Sequence, residues 1–232
     1  MNRMTMITTT DLSLLRLLQL SSAALPVGGY SFSQGLEYAV EEGWLNDESA
    51  IADWLLLQLH ESLACVDLPL LRRQLQACTD AAGSVQTTMA YWNAYALACR
   101  ETAELRLTDT AMGAALTRLL ESLAVPMPFT PAKDMSFISV FAMAAAHWQL
   151  DARIACHGYL WSWLENQIAA ATKIVPLGQT SAQRLLGQLL EYIPAAIDRS
   201  ATICDEAIGA SLPALAMASA WHETQYTRLF RS

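Results

Sequence analysis

Residues 151–174 read DARIACHGYLWSWLENQIAAATKI and carry apolar side chains at intervals of three and four positions. This spacing places the apolar side chains on one stripe of a helix, so it predicts the longest helix of the chain. The same period continues over most of the sequence, and no alternating pattern of useful strand length interrupts it. We therefore predict an all-α fold, a single compact domain of about ten helices.

Short breaks containing Gly, Pro, Asn or Asp separate the predicted helices. Residues 1–11 are rich in Met and Thr and are predicted to be a flexible N-terminal tail. Residues 12–221 form the helical domain, and residues 222–232 a C-terminal partner-binding tail. The predicted helices span 12–22, 32–43, 47–64, 68–81, 85–105, 109–124, 135–147, 151–174, 180–195, 198–209 and 212–230.

Composition favours a soluble protein that binds other proteins. Hydrophobic residues make up 53% of the chain and charged residues only 16%, so some apolar surface is expected to remain exposed as an interface. The net charge of −8 opposes binding to nucleic acids and to anionic membranes. Five scattered cysteines indicate reduced thiols in the cytoplasm, and no apolar run is long enough to cross a membrane.

Motifs for catalysis or for cofactor binding are absent from the sequence. There is no glycine-rich phosphate loop, and the four histidines lack the spacing of a zinc protease. Cys156 and His157 are adjacent, so on a helix they point about 100° apart and are poorly placed to chelate one ion together. We predict no catalytic residue, no metal ligand and no cofactor. A nickel carrier that uses Cys and His ligands and an unrecognised helical enzyme remain the alternatives.

The segment LPVGGYSFSQGLE, residues 25–37, is the first of three that stand out. Its Pro and Gly residues predict a turn, and Ser31 with Gln34 has the spacing of a capping box that starts the next helix. Gly35 is predicted to allow close packing inside that helix. The segment is either a helix junction or, through Tyr30 and Phe32, an aromatic contact surface.

The second segment is KIVPLGQTSAQ, residues 173–183. Lys173 lies in the last predicted turn of a long helix, where a cation complements the helix dipole. Pro176 is predicted to end that helix, Gly178 to permit the turn, and Thr180 with Gln183 to cap the next helix. A helix junction explains this pattern, but Lys173 could also reach a carboxylate or phosphate of a partner.

The third segment is the terminal HETQYTRLFRS, residues 222–232. Projected on a helix, one face carries an aromatic and apolar set, His222, Tyr226, Leu229 and Phe230, and the opposite side carries Arg228 and Arg231. Such a helix could bind a partner or pack on its own chain. A further segment, RETAELR at 100–106, places Arg100 four residues before Glu104 and predicts an ordinary surface pair.

These segments, in this order, resemble the urease accessory protein F family (UreF). The similarity lies in LLQLSSAALPVGGYSFSQGLE near the start, PLGQ in the last third and HETQYTRLFRS at the end, with RETAELR between them, and so it covers residues 14–232. The resemblance implies a cytoplasmic all-helical homodimer. It would bridge the urease accessory protein D, also called H, and the accessory GTPase, protein G. The complex would support GTP-dependent nickel insertion into apo-urease, with nickel only in transit.

The resemblance also implies roles for individual residues. The C-terminal tail would contact the D/H-type partner and become ordered on binding. The 25–37 segment would help to build the complex-forming surface, and Lys173 would influence the GTPase. The implied partner-binding residues are Tyr30, Ser31, Gln34, Lys173, Pro176, Gly178, Gln179, His222, Glu223, Tyr226, Arg228, Leu229, Phe230 and Arg231.

Overall fold

A computed structural model describes residues 10–80, 84–127 and 133–232 of the chain. These residues form a helical domain without strands, as the sequence predicts. A π-helical stretch, Gln58–Asp67, joins α3 to α4, and 3₁₀ turns occur at Gly29–Ser31 and Asp205–Ala207. The α-helices are α1 Asp11–Leu20, α2 Leu36–Glu41, α3 Glu48–Leu57, α4 Leu68–Thr79, α5 Val85–Ala98, α6 Ala103–Ser122, α7 Phe137–His147, α8 Ala152–Ile174, α9 Gln179–Leu190, α10 Ile193–Ser200 and α11 Pro213–His222.

Helix α7 lies at the centre of the core. Its residues from Phe137 to Ala145 are all buried, and the helix packs against α4, α5, α6 and α8. A helix that is apolar on every side is stable only when neighbours cover it on every side. The other long helices therefore surround α7, and their outward faces are left to form the surface.

Several helices begin at the polar residues that their sequences supply. The side chain of Asp47 accepts a hydrogen bond from the Ala50 amide, at 2.8 Å, and caps α3. Asp151 caps α8, and Thr102 caps α6 through the Leu105 amide at 3.1 Å. Each cap satisfies an amide that the first helical turn leaves without a partner.

The helical run Glu48–Thr79 is the only one in the described part of the chain that is long and apolar enough to cross a membrane. Two thirds of its apolar window, 67%, is buried inside the protein. Most of its apolar side chains belong to the core of the domain.

The structure corrects several of the predicted helices. The predicted helix 85–105 is wrong, because α5 ends at Ala98 and α6 begins at Ala103. The helix predicted at 180–195 is interrupted, because α9 ends at Leu190 and α10 begins at Ile193. Of the helix predicted at 198–209 only the first three residues are α-helical, and the one predicted at 212–230 ends at His222. The helix predicted at 32–43 is only the short α2.

The N-terminal tail predicted at 1–11 lies mostly outside the described residues. Thr10 and Asp11 are described, and they already belong to the start of α1. The Thr10 hydroxyl accepts a hydrogen bond from the Ser13 amide at 3.2 Å, which is an N-cap.

Candidate partner-binding surface

The turn before α2 has a different geometry from the predicted capping box. The N-cap of α2 is Gly35, and no side chain caps this helix, so the predicted Ser31–Gln34 box is wrong. Gly35 has a φ of +83°, and an added Cβ would lie 3.1 Å from the Ser219 nitrogen and 3.3 Å from the Ala218 Cβ. The expected close approach at Gly35 is present, but at the start of the helix rather than inside it.

Gln34 anchors this turn to α8. Its side-chain oxygen accepts hydrogen bonds from the Trp163 indole nitrogen at 3.1 Å and from the Gln167 amide at 3.3 Å. Gln34 itself adopts a left-handed backbone conformation, with φ of +54°. The side-chain contacts with α8 hold this uncommon conformation, which the capping pattern does not predict.

Lys173 joins the first two predicted segments. It lies in the last turn of α8, as predicted, and its Nζ atom is 3.5 Å from the Tyr30 carbonyl oxygen. The same ammonium group lies 5.7 Å from the centre of the Tyr30 ring and 5.2 Å from that of Phe230. A cation at these distances is attracted to the faces of both rings.

The C-terminal segment, residues 223–232, leaves the helix and packs back on the chain. The prediction that it continues α11 is wrong, because its amides find acceptors elsewhere. The Leu229 and Phe230 amides donate to the two oxygens of Glu37, at 2.6 and 3.0 Å. The Arg231 amide donates to the Ser31 carbonyl at 2.9 Å. The structure therefore shows packing on the same chain, one of the two possibilities left open above.

A buried cluster of charged groups lies beneath the segment. His222, fully buried, lies with Nε2 2.9 Å from Glu37 Oε2 and Nδ1 2.8 Å from Glu104 Oε2. Arg228 donates to the other oxygen of Glu104 at 2.8 Å. We call these four residues the tail cluster. It joins α2, α6, α11 and the C-terminal segment.

The exposed side of this arrangement is apolar, aromatic and basic. The side chains of Tyr30, Tyr226 and Leu229 are 60%, 103% and 64% exposed, although all three are large and hydrophobic. Lys173, which contacts the Tyr30 ring, and Arg231, two residues after Leu229, are exposed as well. We call these five residues the composite surface. Exposed aromatic, leucine and arginine side chains grouped in this way are typical of protein interfaces.

Four predicted site residues belong neither to the composite surface nor to the contacts beneath it. Pro176, Gly178 and Gln179 are exposed on the turn between α8 and α9, and Glu223 is exposed just after α11. Pro176 follows the end of α8, as predicted. Gly178 is the N-cap of α9, which has no side-chain cap, so the predicted Thr180–Gln183 box is wrong. Among the described hydrogen bonds and ring contacts, none joins this turn to the C-terminal segment.

The geometry around Cys156 disfavours it as a metal ligand. Burial raises the pKa of the Cys156 thiol to about 11, so the thiolate that binds metals is disfavoured. The neighbouring His157 places its Nδ1 atom 2.8 Å from the Arg153 carbonyl oxygen. Within residues 10–80, 84–127 and 133–232, no three His, Cys, Asp or Glu side chains are grouped to hold a metal ion.

The sequence patterns missed Glu37 and Glu104 as anchors of the C-terminal segment. The predicted surface pair of Arg100 and Glu104 is wrong, because Arg100 lies in the break between α5 and α6 and contacts Asp67 and Asp109. Glu104 is 4% exposed and belongs to the tail cluster. Both carboxylates contact residues far away in the sequence, so helical periodicity carries no signal for them.

The fold and the composite surface define an all-helical protein with an exposed aromatic, apolar and basic surface. The model of the UreF family matches residues 45–190. "Urease accessory protein UreF" of Marinomonas sp. (strain MWYL1) is 58% identical over 229 residues, which cover 98% of each chain. The protein of the same name from Alkalilimnicola ehrlichii is 48% identical over 94% of this chain and 95% of its own. The chain belongs to the UreF family of urease accessory proteins.

Proposed function

We propose that this protein is a non-catalytic adaptor in urease maturation. It bridges the D/H-type accessory protein and the accessory GTPase, and it supports GTP-dependent nickel insertion into apo-urease. The protein acts in the cytoplasm as a homodimer, and nickel passes through the assembly as cargo. Membership of the UreF family supports the maturation role, and the finer steps are our proposal.

The observation that carries the proposal is the meeting of three distant segments at one place. Lys173 contacts Tyr30 from the first segment and Phe230 from the last, so the three segments form one continuous surface. Burying aromatic rings and exposed leucine against a partner would release water from apolar area, and arginine would add charge-assisted hydrogen bonds. Such a surface can bind a protein without any catalytic group.

An effect on the GTPase requires only differential binding. An adaptor that contacts one conformation of the GTPase more tightly than another shifts the population toward that conformation. Lys173 is a suitable contact, because its ammonium group is exposed and can pair with a carboxylate or phosphate. No phosphate loop is needed on the adaptor itself.

The experiment is co-purification with the urease accessory proteins, with and without GTP. Removal of residues 223–232 deletes no α-helical residue, since α11 ends at His222. We expect the shortened chain to keep its helical circular dichroism and to lose the D/H-type partner. Undiminished co-purification would refute the role of the C-terminal segment.

A second variant separates binding from regulation. Lys173→Ala removes the ammonium group from the Tyr30 and Phe230 rings and from the Tyr30 carbonyl oxygen, and it leaves α8 in place. We expect the complex to assemble and its rate of GTP turnover or of nickel delivery to change. Wild-type values for both rates would contradict a regulatory role for Lys173.

A further inference from the structure

The tail cluster contains a histidine ring whose two nitrogens both face carboxylates. Nε2 is 2.9 Å from Glu37 and Nδ1 is 2.8 Å from Glu104, and the ring is fully buried. An imidazole ring donates hydrogen bonds from both nitrogens only when it is protonated. A neutral ring would leave one nitrogen lone pair against a carboxylate oxygen, in a place that water does not reach.

The charges around the ring lead to the same protonation state. Glu37 from α2 and Glu104 from α6 contact the ring directly, and Arg228 from the C-terminal segment contacts Glu104. Two carboxylates and one guanidinium leave a net charge of −1, which a protonated His222 neutralises. An uncompensated buried charge is costly, so the neutral ring is the less stable form in this arrangement.

The same carboxylate that meets the ring holds the C-terminal segment. Glu37 accepts hydrogen bonds from the Leu229 and Phe230 amides, at 2.6 and 3.0 Å, in addition to its contact with His222. Phe230 lies against Lys173, and the next residue, Arg231, donates its amide to the Ser31 carbonyl. A change in the orientation or charge of Glu37 therefore acts directly on the backbone of the composite surface.

We propose that Glu37 and Glu104 are positioning residues that hold the C-terminal segment through a protonated His222, so that docking of this segment is coupled to one proton. The importance of this coupling for partner binding rests on the function proposed above. The coupling itself is a property of the isolated chain.

The direction of the pH dependence follows from the donor count. The protonated ring donates a hydrogen bond to each carboxylate, and the docked segment is most stable while His222 carries this proton. A rise in pH removes that proton and leaves one carboxylate without its donor, so docking weakens as pH rises. A coupling to one proton changes the docking equilibrium by up to about tenfold per pH unit.

The test uses the isolated full-length protein. Nuclear magnetic resonance of ¹⁵N-labelled histidine reads the protonation of each ring nitrogen, and amide hydrogen exchange reads docking at Leu229 and Phe230. At pH 7 we expect protons on both His222 nitrogens, and exchange at the two amides that accelerates as pH rises beyond the intrinsic, base-catalysed increase. A His222 ring with one bare nitrogen while both amides are protected would overturn the proposal.

Two variants make the test independent of folding failure. Glu37→Gln keeps an acceptor oxygen but removes the charge, and we expect about tenfold faster exchange at both amides without the extra pH dependence. Glu61→Gln, at an exposed carboxylate that pairs with Arg199, is the matched control and should behave as wild type. Wild-type exchange in Glu37→Gln would contradict the proposal. Since no partner is present, this result is separate from that of the co-purification.

Discussion

Two buried clusters in this protein have the same plan but different cations. In the first, Arg100 donates to Asp67 at 2.7 Å and to Asp109 at 2.9 Å. In the tail cluster, His222 lies between Glu37 and Glu104 at similar distances. We call the first the central cluster. Each places one cationic side chain between two carboxylates from different helices.

The central cluster has a cation that does not lose its charge. Burial alone would lower the pKa of Arg100, but Asp109 and Asp67 raise it well above its ordinary value. Burial also raises the pKa of Tyr159 well above its usual range, so its hydroxyl stays protonated and donates to Asp67 at 3.0 Å. Arg100 therefore keeps its charge in this cluster, and Tyr159 keeps its proton.

The two clusters join different parts of the molecule. The central cluster joins the π-helical stretch, the break before α6, and α6 itself, all of which belong to the core. The tail cluster joins the core to the segment that carries Tyr226 and Leu229. An arginine always carries its charge, whereas a histidine ring exists in a charged and a neutral form, so the proposed proton coupling concerns the second junction.

The largest effect is expected from breaking the central cluster. Arg100→Met leaves Asp67 and Asp109 buried without their cation, and we expect the free energy of unfolding to fall by about 3–5 kcal/mol. Urea denaturation at pH 7 measures this change. Arg199→Met removes an exposed ion pair with Glu61 and should cost no more than about 1 kcal/mol. Equal losses for the two variants would remove the distinction between a buried cluster and a surface pair.

A smaller loss is expected at Gly113, which lets α6 approach the start of α7. An added Cβ would lie 2.0 Å from the Met135 carbonyl oxygen, so the backbone must move. Asp109 accepts hydrogen bonds from the Ser136 hydroxyl at 2.7 Å and from the Phe137 amide at 2.8 Å. The movement would stretch both of these bonds.

Alanine favours a helix over glycine by about 1 kcal/mol, but overpacking against backbone costs more. We expect Gly113→Ala to lower the free energy of unfolding by about 2 kcal/mol, measured by urea denaturation. A more stable variant would show that α6 and α7 can separate without loss of the central cluster.

The smallest effect is expected at Gly35, beside the tail cluster. Gly35→Ala combines a left-handed backbone with contacts to Ser219 and Ala218, and we expect a loss of about 1–2 kcal/mol. Gly28→Ala is the control, because its φ of +77° is similar and its added Cβ would meet open space. The difference between the two thermal unfolding curves isolates the packing against α11. Identical curves would show that only backbone strain matters.

The sequence predicts the helical class because apolar periodicity is a local property. The helix predicted at 151–174 is observed as Ala152–Ile174, and the one predicted at 135–147 as Phe137–His147. Lys173 lies in the last turn of α8 for the same reason. Local spacing sets these elements, and the packing of the core then keeps them.

The errors occur where distant contacts override local preference. Residues 223–232 have a helical apolar pattern, yet the Leu229 and Phe230 amides donate hydrogen bonds to Glu37, which lies more than 190 positions earlier in the sequence. Arg100 ends a predicted helix because Asp67 and Asp109 bind its guanidinium from two other elements. Helix propensity is weak compared with such tertiary contacts, and the spacing of residues in the sequence does not predict them. The sequence therefore singles out His222 and Arg228 but gives no sign that Glu37 and Glu104 lie beside them.

We propose that the composite surface binds the D/H-type accessory protein, and the affinity for that partner is the quantity to measure. Leu229 is 64% exposed on the C-terminal segment, and Leu123, 40% exposed, lies at the far end of α6 from Glu104. Calorimetric titration of the purified partner would compare Leu229→Asp with Leu123→Asp. We expect the first to raise Kd by about 30-fold or more, as at an interface hot spot, and the second to keep the wild-type Kd. A wild-type Kd for Leu229→Asp, in a chain that is still folded, would contradict the claim.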